Sequence, residues 1–382
     1  MRGIRFDRNE LAGSFGDIGT DLPLLFGMVL AARLDAASVF AVFGLLQIAT
    51  GLVYRLPMPM QPLKAMAVLV IAGGISAEVL AGGGLAIGAL MLALTLTGGL
   101  EWLAARIPLS VVRGIQFGLG LALASLALRT YVPSQGARGW ALAAGAFVVL
   151  VSLWGNRRVP PGLIVIGLGL GYAFAFRLDL GQFAAGAGVR LPALHLPQLE
   201  DVLTGLVVLA LPQLPLSLSN SVIATRQTIA DLFPERRIGV RRIGLTYSLV
   251  NLVAPLLGGV PACHGCGGLA GHHAFGARTG GSVVLYGTFF VAVGLLLSGS
   301  VAQLVEAFPL PLLGVVLLAE ALTLMRLIGD LAGSRRDLAI ALAVGVIAFA
   351  VPQGYLVGLG VGLALDRLPV RYGRERESTV AE

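Results

Sequence analysis

The chain contains a single lysine, which follows three prolines in the stretch Pro57-Met-Pro-Met-Gln-Pro62-Leu-Lys64. Proline lacks a backbone donor and biases the residue before it toward extended structure, so no helix continues through this stretch. The apolar sequence after Pro62 predicts an extended segment that leads into a helix with Lys64 in its first turn. A lysine at the centre of a bilayer costs about 2.5–3.5 kcal/mol. An anionic ligand would offset this cost; the alternatives are snorkelling to an interface or a permanent pair with Asp17 or Asp21.

Two carboxylates, Asp17 and Asp21, lie in the first apolar run of the chain. Their i,i+4 spacing puts them on one face of a helix, with Thr20 beside them. Carboxylates inside a membrane are expensive and face protein or water. One interpretation is proton coupling by Asp17, with Thr20 and Asp21 in the same role. The other is that Asp17 is a structural acceptor for backbone or arginine groups.

A stripe of neutral polar side chains marks a later apolar run, at the spacing i, i+4, i+7 and i+8: Gln213, Ser217, Asn220 and Ser221. Such a stripe is typical of one helix face. Amides and hydroxyls of this kind donate to an oxyanion without adding negative charge. The alternative is hydrogen bonding between helices in the membrane.

The segment Pro261-Ala-Cys-His-Gly-Cys-Gly-Gly268 combines a Cys-x-x-Cys pair with glycines, and two more histidines follow it. A zinc or copper site formed by Cys263, Cys266, His272 and His273 is one interpretation, but the chain has no second Cys-x-x-Cys. The glycines favour another interpretation. They allow close approach of a ligand and leave the amides of a helix start free to bind an anion, at His264, Gly265 and Cys266.

The expected charge of this region indicates the charge of its ligand. Each helix start contributes about +0.5 of an elementary charge, so two starts contribute about +1. Protonated Lys64 adds one more, and the sum matches a tetrahedral dianion. Molybdate, tungstate and sulfate fit equally well, whereas a neutral nucleobase would not need the lysine.

The composition indicates the environment of these residues. The chain has 382 residues, of which 57% are hydrophobic and 12% charged, whereas a soluble domain has about 25% charged residues. It is therefore predicted to be an integral membrane protein built of helices, and a removable signal peptide is not expected. Fourteen spans are predicted, at residues 12–31, 36–54, 62–75, 84–105, 109–128, 139–155, 160–177, 200–224, 240–258, 264–275, 280–299, 306–326, 336–351 and 354–366.

The spans form two similar sets of seven, predicted as residues 1–199 and 200–382, the second ending in a short cytoplasmic tail. Each set begins with a long span that carries polar residues and a proline, and each has a short third span preceded by proline. Because seven is odd, the second set enters the membrane inverted, a pattern typical of transporters. With both termini in the cytoplasm, only five arginines lie outside, which follows the positive-inside rule: Arg33, Arg129, Arg138, Arg177 and Arg190.

Four motifs in this order resemble the molybdate-transporter family, a branch of the sulfate permease superfamily: Gly16-Asp-Ile-Gly-Thr20 with Pro23, Gln61-Pro-Leu-Lys-Ala65, Pro212-Gln-Leu-Pro-Leu216 with Asn220-Ser221, and Pro261 to Leu269 continuing into Phe275-Gly-Ala-Arg-Thr-Gly280. The resemblance covers essentially the whole chain.

The resemblance implies an all-α membrane protein with two inverted seven-span repeats. Spans 1–4 and 8–11 would form a moving core, and spans 5–7 and 12–14 a gate domain. Two half-helices, the third and tenth spans, would meet at the bilayer midplane. The chain has no room for the cytoplasmic domain that many sulfate permeases carry after the last span, which favours the molybdate branch.

The predicted function is secondary active import of molybdate, coupled to protons and carried out by an elevator-like alternating-access movement. The predicted substrate-binding residues are Gln61, Lys64, Ala65, Gln213, Ser217, Asn220, His264, Gly265 and Cys266, and the coupling residues are Asp17, Thr20 and Asp21. The expected location is the inner (cytoplasmic) membrane. Neither enzymatic activity nor a cofactor, bound metal or nucleic acid is expected, and a homodimer remains open. A sulfate or other oxyanion permease, and a membrane redox or metal-binding protein, are the alternatives.

Overall fold

The structure, a computed structural model, describes residues 3–154, 156, 160–192 and 194–368. Six arginines counted on the cytoplasmic side lie outside the described residues: Arg2, Arg157, Arg158, Arg371, Arg374 and Arg376. The predicted cytoplasmic tail, which follows Asp366, lies outside them from residue 369 onward.

Helices dominate the first half of the chain. They are α1 (Arg8–Ser14), α2 (Ile18–Ala32), α3 (Ala36–Tyr54), α4 (Lys64–Gly73), α5 (Ala77–Thr97), α6 (Gly99–Ala104), α7 (Leu109–Leu126), α8 (Gly136–Ser152), α9 (Pro161–Phe176) and α10 (Leu180–Ala185), with the short strand β1 (Met60–Pro62) before α4. The first span, predicted over 12–31, is bent, because α1 and α2 meet at an angle of 41°. The fourth begins seven residues earlier than predicted, where the Ser76 side chain caps α5 by accepting from the Val79 amide at 3.3 Å.

The second half repeats this pattern. It contains α11 (Leu199–Gly205), α12 (Leu211–Leu216), α13 (Thr225–Leu232), α14 (Val240–Val253), β2 (Ala262–His264), α15 (Cys266–Ala274), α16 (Gly281–Leu296), α17 (Ser300–Ala307), α18 (Leu310–Arg326), α19 (Arg335–Ala350) and α20 (Gly354–Arg367). Two π-helical segments, Leu206–Ala210 and Ser217–Ala224, join α11, α12 and α13 into one long span. This span ends at Leu232, beyond the predicted residue 224. Pro212 and Pro215 lie inside it and remove backbone donors, which favours such irregular turns.

The helices identify a membrane protein. Among the described residues, five helical segments are long and apolar enough to cross a bilayer: Ala36–Tyr54, Ala77–Thr97, Leu109–Ser152, Leu199–Leu232 and Leu310–Leu331. The bent pair α1 and α2 passes the same test as a unit, and α4, α9 and α16 are shorter apolar helices. Large apolar side chains such as Phe176 and Val148 are exposed on the surface, where lipid would cover them. The all-α membrane fold is therefore confirmed.

The two short helices start from a common crossing. β1 pairs antiparallel with β2 in the register Met60 to His264 and Gln61 to Cys263. The Gln47 amide of α3 satisfies both backbone groups of Met60, at 2.8 Å each. In the other half, the Asn251 amide of α14 satisfies both backbone groups of Ala262, at 3.0 and 2.7 Å. Met60 and Ala262 each lie four residues before a short helix, so the two halves build this crossing in the same way.

The packing of the longer helices also relates the two halves of the chain. α3 packs along α16, and α5 packs along α14. In an inverted repeat, the second span (α3) corresponds to the ninth (α14), and the fourth (α5) corresponds to the eleventh (α16). Each of these two contacts is then the counterpart of the other. α4 has ten residues and is about 15 Å long at 1.5 Å per residue, roughly half of a bilayer core. The crossing therefore lies well inside the fold, with a half-length helix leaving it on each side.

Candidate functional site

Lys64 is the first residue of α4, and its ammonium pairs with the carboxylate of Glu320 on α18. The Lys64 side chain is 7% exposed and that of Glu320 19%. Sequence reasoning proposed an external anion, Asp17 or Asp21 as the partner and missed Glu320. The available signal was an acid inside the apolar run Leu310–Arg326, since an acid in a span is a functional candidate by default.

The first amides of α4 are occupied by a side chain from the second half of the protein. The Gln213 side-chain oxygen accepts from the backbone amides of Ala65 and Met66, at 3.0 and 3.2 Å. Its nitrogen donates to the Ser217 hydroxyl at 3.2 Å, which in turn pairs with the Tyr247 hydroxyl at 2.7 Å. Because the residue before α4 provides no side-chain cap, Gln213 supplies the acceptor that this helix start otherwise lacks.

Asp17 lies at the break between α1 and α2, next to the start of α15. The Gln61 side-chain nitrogen donates to both oxygens of Asp17, at 2.7 Å each. A Cβ built on Gly268 would collide with the Asp17 carboxylate, so this acid lies directly on the first turn of α15. A carboxylate at a helix start interacts favourably with the helix dipole.

Gln61 is held between that acid and Gly265. Its side-chain oxygen is buried and has no hydrogen-bond partner among the described residues. A Cβ built on Gly265 would collide with the Gln61 amide. Glycine at position 265 therefore makes room for the side chain that binds Asp17.

The other two predicted coupling residues lie near Asp17. Asp21 is fully buried and accepts from the Tyr286 hydroxyl at 2.9 Å. Its second oxygen has no partner among the residues that the structure describes. Thr20 lines a cavity of about 250 Å³ that Glu320 also lines. The three coupling candidates are thus close to the Lys64 pair, although each has its own neighbours.

The start of α15 is linked to α7 through Asn220. The Asn220 side-chain oxygen accepts from the Cys266 thiol at 3.2 Å and from the Gln116 amide at 3.3 Å. Gln116 in turn accepts from Arg113 at 2.9 Å. Gln213 and Asn220 therefore contact the two helix starts, one each. Gln116 was missed by sequence reasoning, although a glutamine and an arginine inside the predicted span 109–128 were a usable signal.

The side chains of His264 and Ser221 have different neighbours from the Lys64 side chain. The His264 ring hydrogen-bonds to the Thr246 hydroxyl at 2.7 Å and packs on Tyr54 at 5.1 Å between ring centroids. Ser221 is buried and lies beside the Cys263 thiol. The structure therefore brings together Gln61, Lys64, Ala65, Gln213, Asn220, Gly265 and Cys266 around the crossing, with Ser217 supporting Gln213, and places the His264 side chain against α3 and α14.

The residues considered for a metal site are separated. Cys263 and Cys266 are both free thiols. His272 lies beside the Ser282 hydroxyl at 3.1 Å, and His273 packs on Phe233 at 5.5 Å between ring centroids. Within the described part of the chain, no group of three or more His, Cys, Asp or Glu residues is arranged to hold a metal ion. The structure therefore gives the redox or metal-binding alternative no support.

Two cavities with different linings border the helices of the site. The cavity that contains Thr20 and Glu320 is also lined by residues of α8 and α9, such as Leu150 and Pro161. A second cavity of about 320 Å³ is lined by Val68 and other residues of α4, α7, α19 and α20. α4 thus borders one cavity with its far end, and its Lys64 contacts an acid that borders the other.

Sequence comparison finds relatives over most of the chain. The family described as "Molybdate transporter of MFS superfamily" matches residues 9–123 and 205–324. Molybdate transporter 2 of Arabidopsis thaliana is 31% identical, with 94% of this chain and 86% of that protein aligned. Molybdate transporter 1 of the same plant is 32% identical, over 81% of this chain and 77% of its own length. Molybdate transporter 1 of Chlamydomonas reinhardtii is 29% identical, over 93% and 91%. The two matched segments contain every candidate residue named above, including Glu320.

Comparison with solved structures identifies the fold. The transmembrane domain of the cyanobacterial bicarbonate transporter BicA superposes with a TM-score of 0.69 over 94% of this chain and 98% of that domain, at 17% identity. Murine Solute Carrier 26 family member A9, an anion transporter in the inward-facing state, gives a TM-score of 0.71 over 96% of this chain and 68% of that protein, at 14% identity. At these identities the likeness concerns the fold alone.

Proposed function

Because this chain belongs to the molybdate transporter family, we propose that it imports molybdate across the cytoplasmic membrane by secondary active transport. The observation that carries the proposal is that Lys64 is buried at the start of the short helix α4, in a region that also contains neutral amide side chains. Lys64 provides a full positive charge, and Gln61, Gln213 and Asn220 lie within the same crossing. Charge with neutral donors is the combination that a tetrahedral dianion needs.

Space for the ligand is available at the start of α15. A Cβ built on Gly267 meets no heavy atom within 4 Å, so this side of the first turn is open. The first amides of a helix have no partner within the helix and favour negative charge. An oxyanion bound here would contact these amides on one side and the Lys64 ammonium on the other.

Import of a dianion also needs a driving force. Each negative charge entering a cell with a negative interior faces about 2.3 kcal/mol per 100 mV, so cations must accompany the substrate. We assign this role to protons carried by Asp17, with Asp21 and Thr20 as its neighbours. Asp17 lies directly on the helix start where the oxyanion would bind, so its protonation would remove a negative charge that repels the substrate.

The proposed movement is an elevator-like shift of one group of helices against another. Helices α1–α5 and α11–α16, which contain both short helices, would form the moving core, and α7–α9 and α18–α20 the gate. Two cavities support this division, because each is lined by residues of both groups, Thr20 with Glu320 in one and Val68 with Tyr355 in the other. In the proposed orientation both termini are cytoplasmic, as the arginine distribution predicts.

Uptake of radiolabelled molybdate into proteoliposomes tests the proposal. Purified protein should accumulate the label, and an inward proton gradient should stimulate uptake. Unlabelled tungstate and sulfate added in excess would measure selectivity, since charge alone does not separate these dianions. Absence of molybdate uptake with robust sulfate uptake would favour the sulfate permease alternative, and absence of all three would refute oxyanion transport.

A further inference from the structure

We propose that Glu320 is an internal counter-anion, which occupies Lys64 when no substrate is bound and which the incoming oxyanion displaces. This inference rests on the proposed function, because it concerns the same lysine. It adds a specific role for an acid that lies 256 residues away in sequence. The role is competitive: Glu320 would lower the apparent affinity for the oxyanion and link substrate binding to the contact between two helices.

The first argument is the isolation of the pair. Glu320 is the one acid in ion-pair contact with Lys64 among the described residues. Asp17, one of the two acids considered from sequence, instead accepts from the Gln61 amide with both of its oxygens. Lys64 is 7% exposed, and a buried ammonium needs an anionic partner. The lysine therefore exchanges one anion for another and is at no stage left unpaired.

The second argument is that the amides of Ala65 and Met66 and the Lys64 ammonium already contact oxygen atoms of the protein. Gln213 occupies the amides of Ala65 and Met66, and Glu320 occupies the Lys64 ammonium. An oxyanion that binds to this helix start must displace at least one of these oxygens. The carboxylate is the competitor that carries charge.

The third argument is that a displaced Glu320 side chain has a place to go. It lines the cavity of about 250 Å³ together with Thr20 and Thr323, and it is already 19% exposed. A carboxylate that leaves Lys64 can therefore rotate into this cavity and be solvated there. An acid enclosed on all sides would have no such route.

The fourth argument concerns the helices that the pair joins. α4 packs mainly against α2, with smaller contacts to α12 and α7, whereas α18 packs mainly against α7 and also contacts α8 and α2. The pair thus connects the proposed moving helices to the proposed gate helices. Displacement of Glu320 by substrate would remove this ionic contact between the two groups of helices at the moment when the loaded site must move.

The test uses binding and thermal unfolding of the purified full chain, with sodium molybdate as the probe. Glu320→Gln removes the competing charge and keeps the shape, so its affinity for molybdate should rise about tenfold. Glu306→Gln is the matched control, because Glu306 is an exposed acid on the neighbouring α17, and its affinity should not change. Lys64→Gln and the double variant Lys64→Gln/Glu320→Gln should bind equally weakly, since Glu320 acts through the lysine.

The pairing itself is measured without ligand. Glu320→Gln should unfold at a lower temperature than the wild type, because it leaves Lys64 buried without a partner, and the double variant should recover part of this loss. An unchanged or weaker affinity in folded Glu320→Gln would overturn the proposal, and so would a double variant that is less stable than Glu320→Gln. Failure of the wild type to bind molybdate would refute the proposed function instead, while the ligand-free series would still show whether the pair exists.

Discussion

Gly265 separates β2 from α15, and its replacement by alanine should damage the site through Gln61 rather than through the backbone. Its dihedral angles, φ −104° and ψ 123°, are extended and acceptable to alanine. The added Cβ would collide with the Gln61 amide group and lie 2.9 Å from Gln61 Cγ. Gln61 would have to move, and the two hydrogen bonds of 2.7 Å that it donates to Asp17 would be lost.

The size of the effect follows from these contacts. Overpacking of a buried position costs about 1–3 kcal/mol, and loss of a hydrogen bond to a charged group about 1.5–3 kcal/mol. The two terms overlap, because movement of Gln61 relieves the first and causes the second, so a destabilisation of about 2–3 kcal/mol is expected. Gly267→Ala is the matched control two residues away, where the added Cβ meets nothing within 4 Å. It should be neutral or stabilising by up to about 1 kcal/mol.

Thermal unfolding of both purified variants measures this difference. The double variant Gly265→Ala/Gln61→Ala provides the decisive comparison, because truncation of Gln61 removes every atom that the new Cβ would strike. It should be no less stable than Gln61→Ala alone. Equal stability of Gly265→Ala and Gly267→Ala would refute the reasoning, and so would a double variant that loses the full sum of the two single changes.

Three further predictions concern binding and transport. Lys64→Ala should lower molybdate affinity ten- to a hundredfold in calorimetry, the equivalent of about 1.5–3 kcal/mol, and Lys64→Arg should also impair binding because a planar fork replaces a compact charge; unchanged affinity in Lys64→Ala would remove the residue from the site. Cys263→Ser and Cys266→Ser, singly and together, should keep molybdate uptake in proteoliposomes, since a serine hydroxyl still donates to Asn220; loss of uptake in both would restore a role for the thiols. Asp17→Asn should abolish stimulation of uptake by an inward proton gradient while some binding remains, with Asp21→Asn as the comparison; full stimulation in Asp17→Asn would make that carboxylate structural.

The short helices were determined largely by the sequence, because their signals are local. Proline prevents helix formation wherever it removes a donor, so Pro57–Pro62 and Pro261 each indicated an extended segment before a helix. The third span, predicted over 62–75, is α4 at Lys64–Gly73, and the tenth, predicted over 264–275, is α15 at Cys266–Ala274. The all-α membrane fold could be predicted for a similar reason, since apolar length is a property of a continuous stretch of chain.

The positions of the polar stripe residues could not be predicted from their spacing alone. Its spacing assumed a regular α-helix with one polar face. The chain is π-helical from Ser217 to Ala224, so Gln213 and Asn220 reach two different helix starts. The spacing of polar residues does not predict such an irregular turn.

The partner of Lys64 was decided only by the tertiary structure. The sequence predicted that a lysine in a span needs an anion, because burial of an unpaired charge is costly wherever it occurs. It did not select Glu320, since the energy of an ion pair depends on the distance between two atoms and the chain brings these together from 256 residues apart. The same holds for the Gln213 oxygen at the start of α4. The amino-acid types determine which buried charged and polar groups require a partner. The packing of the helices decides which group becomes that partner.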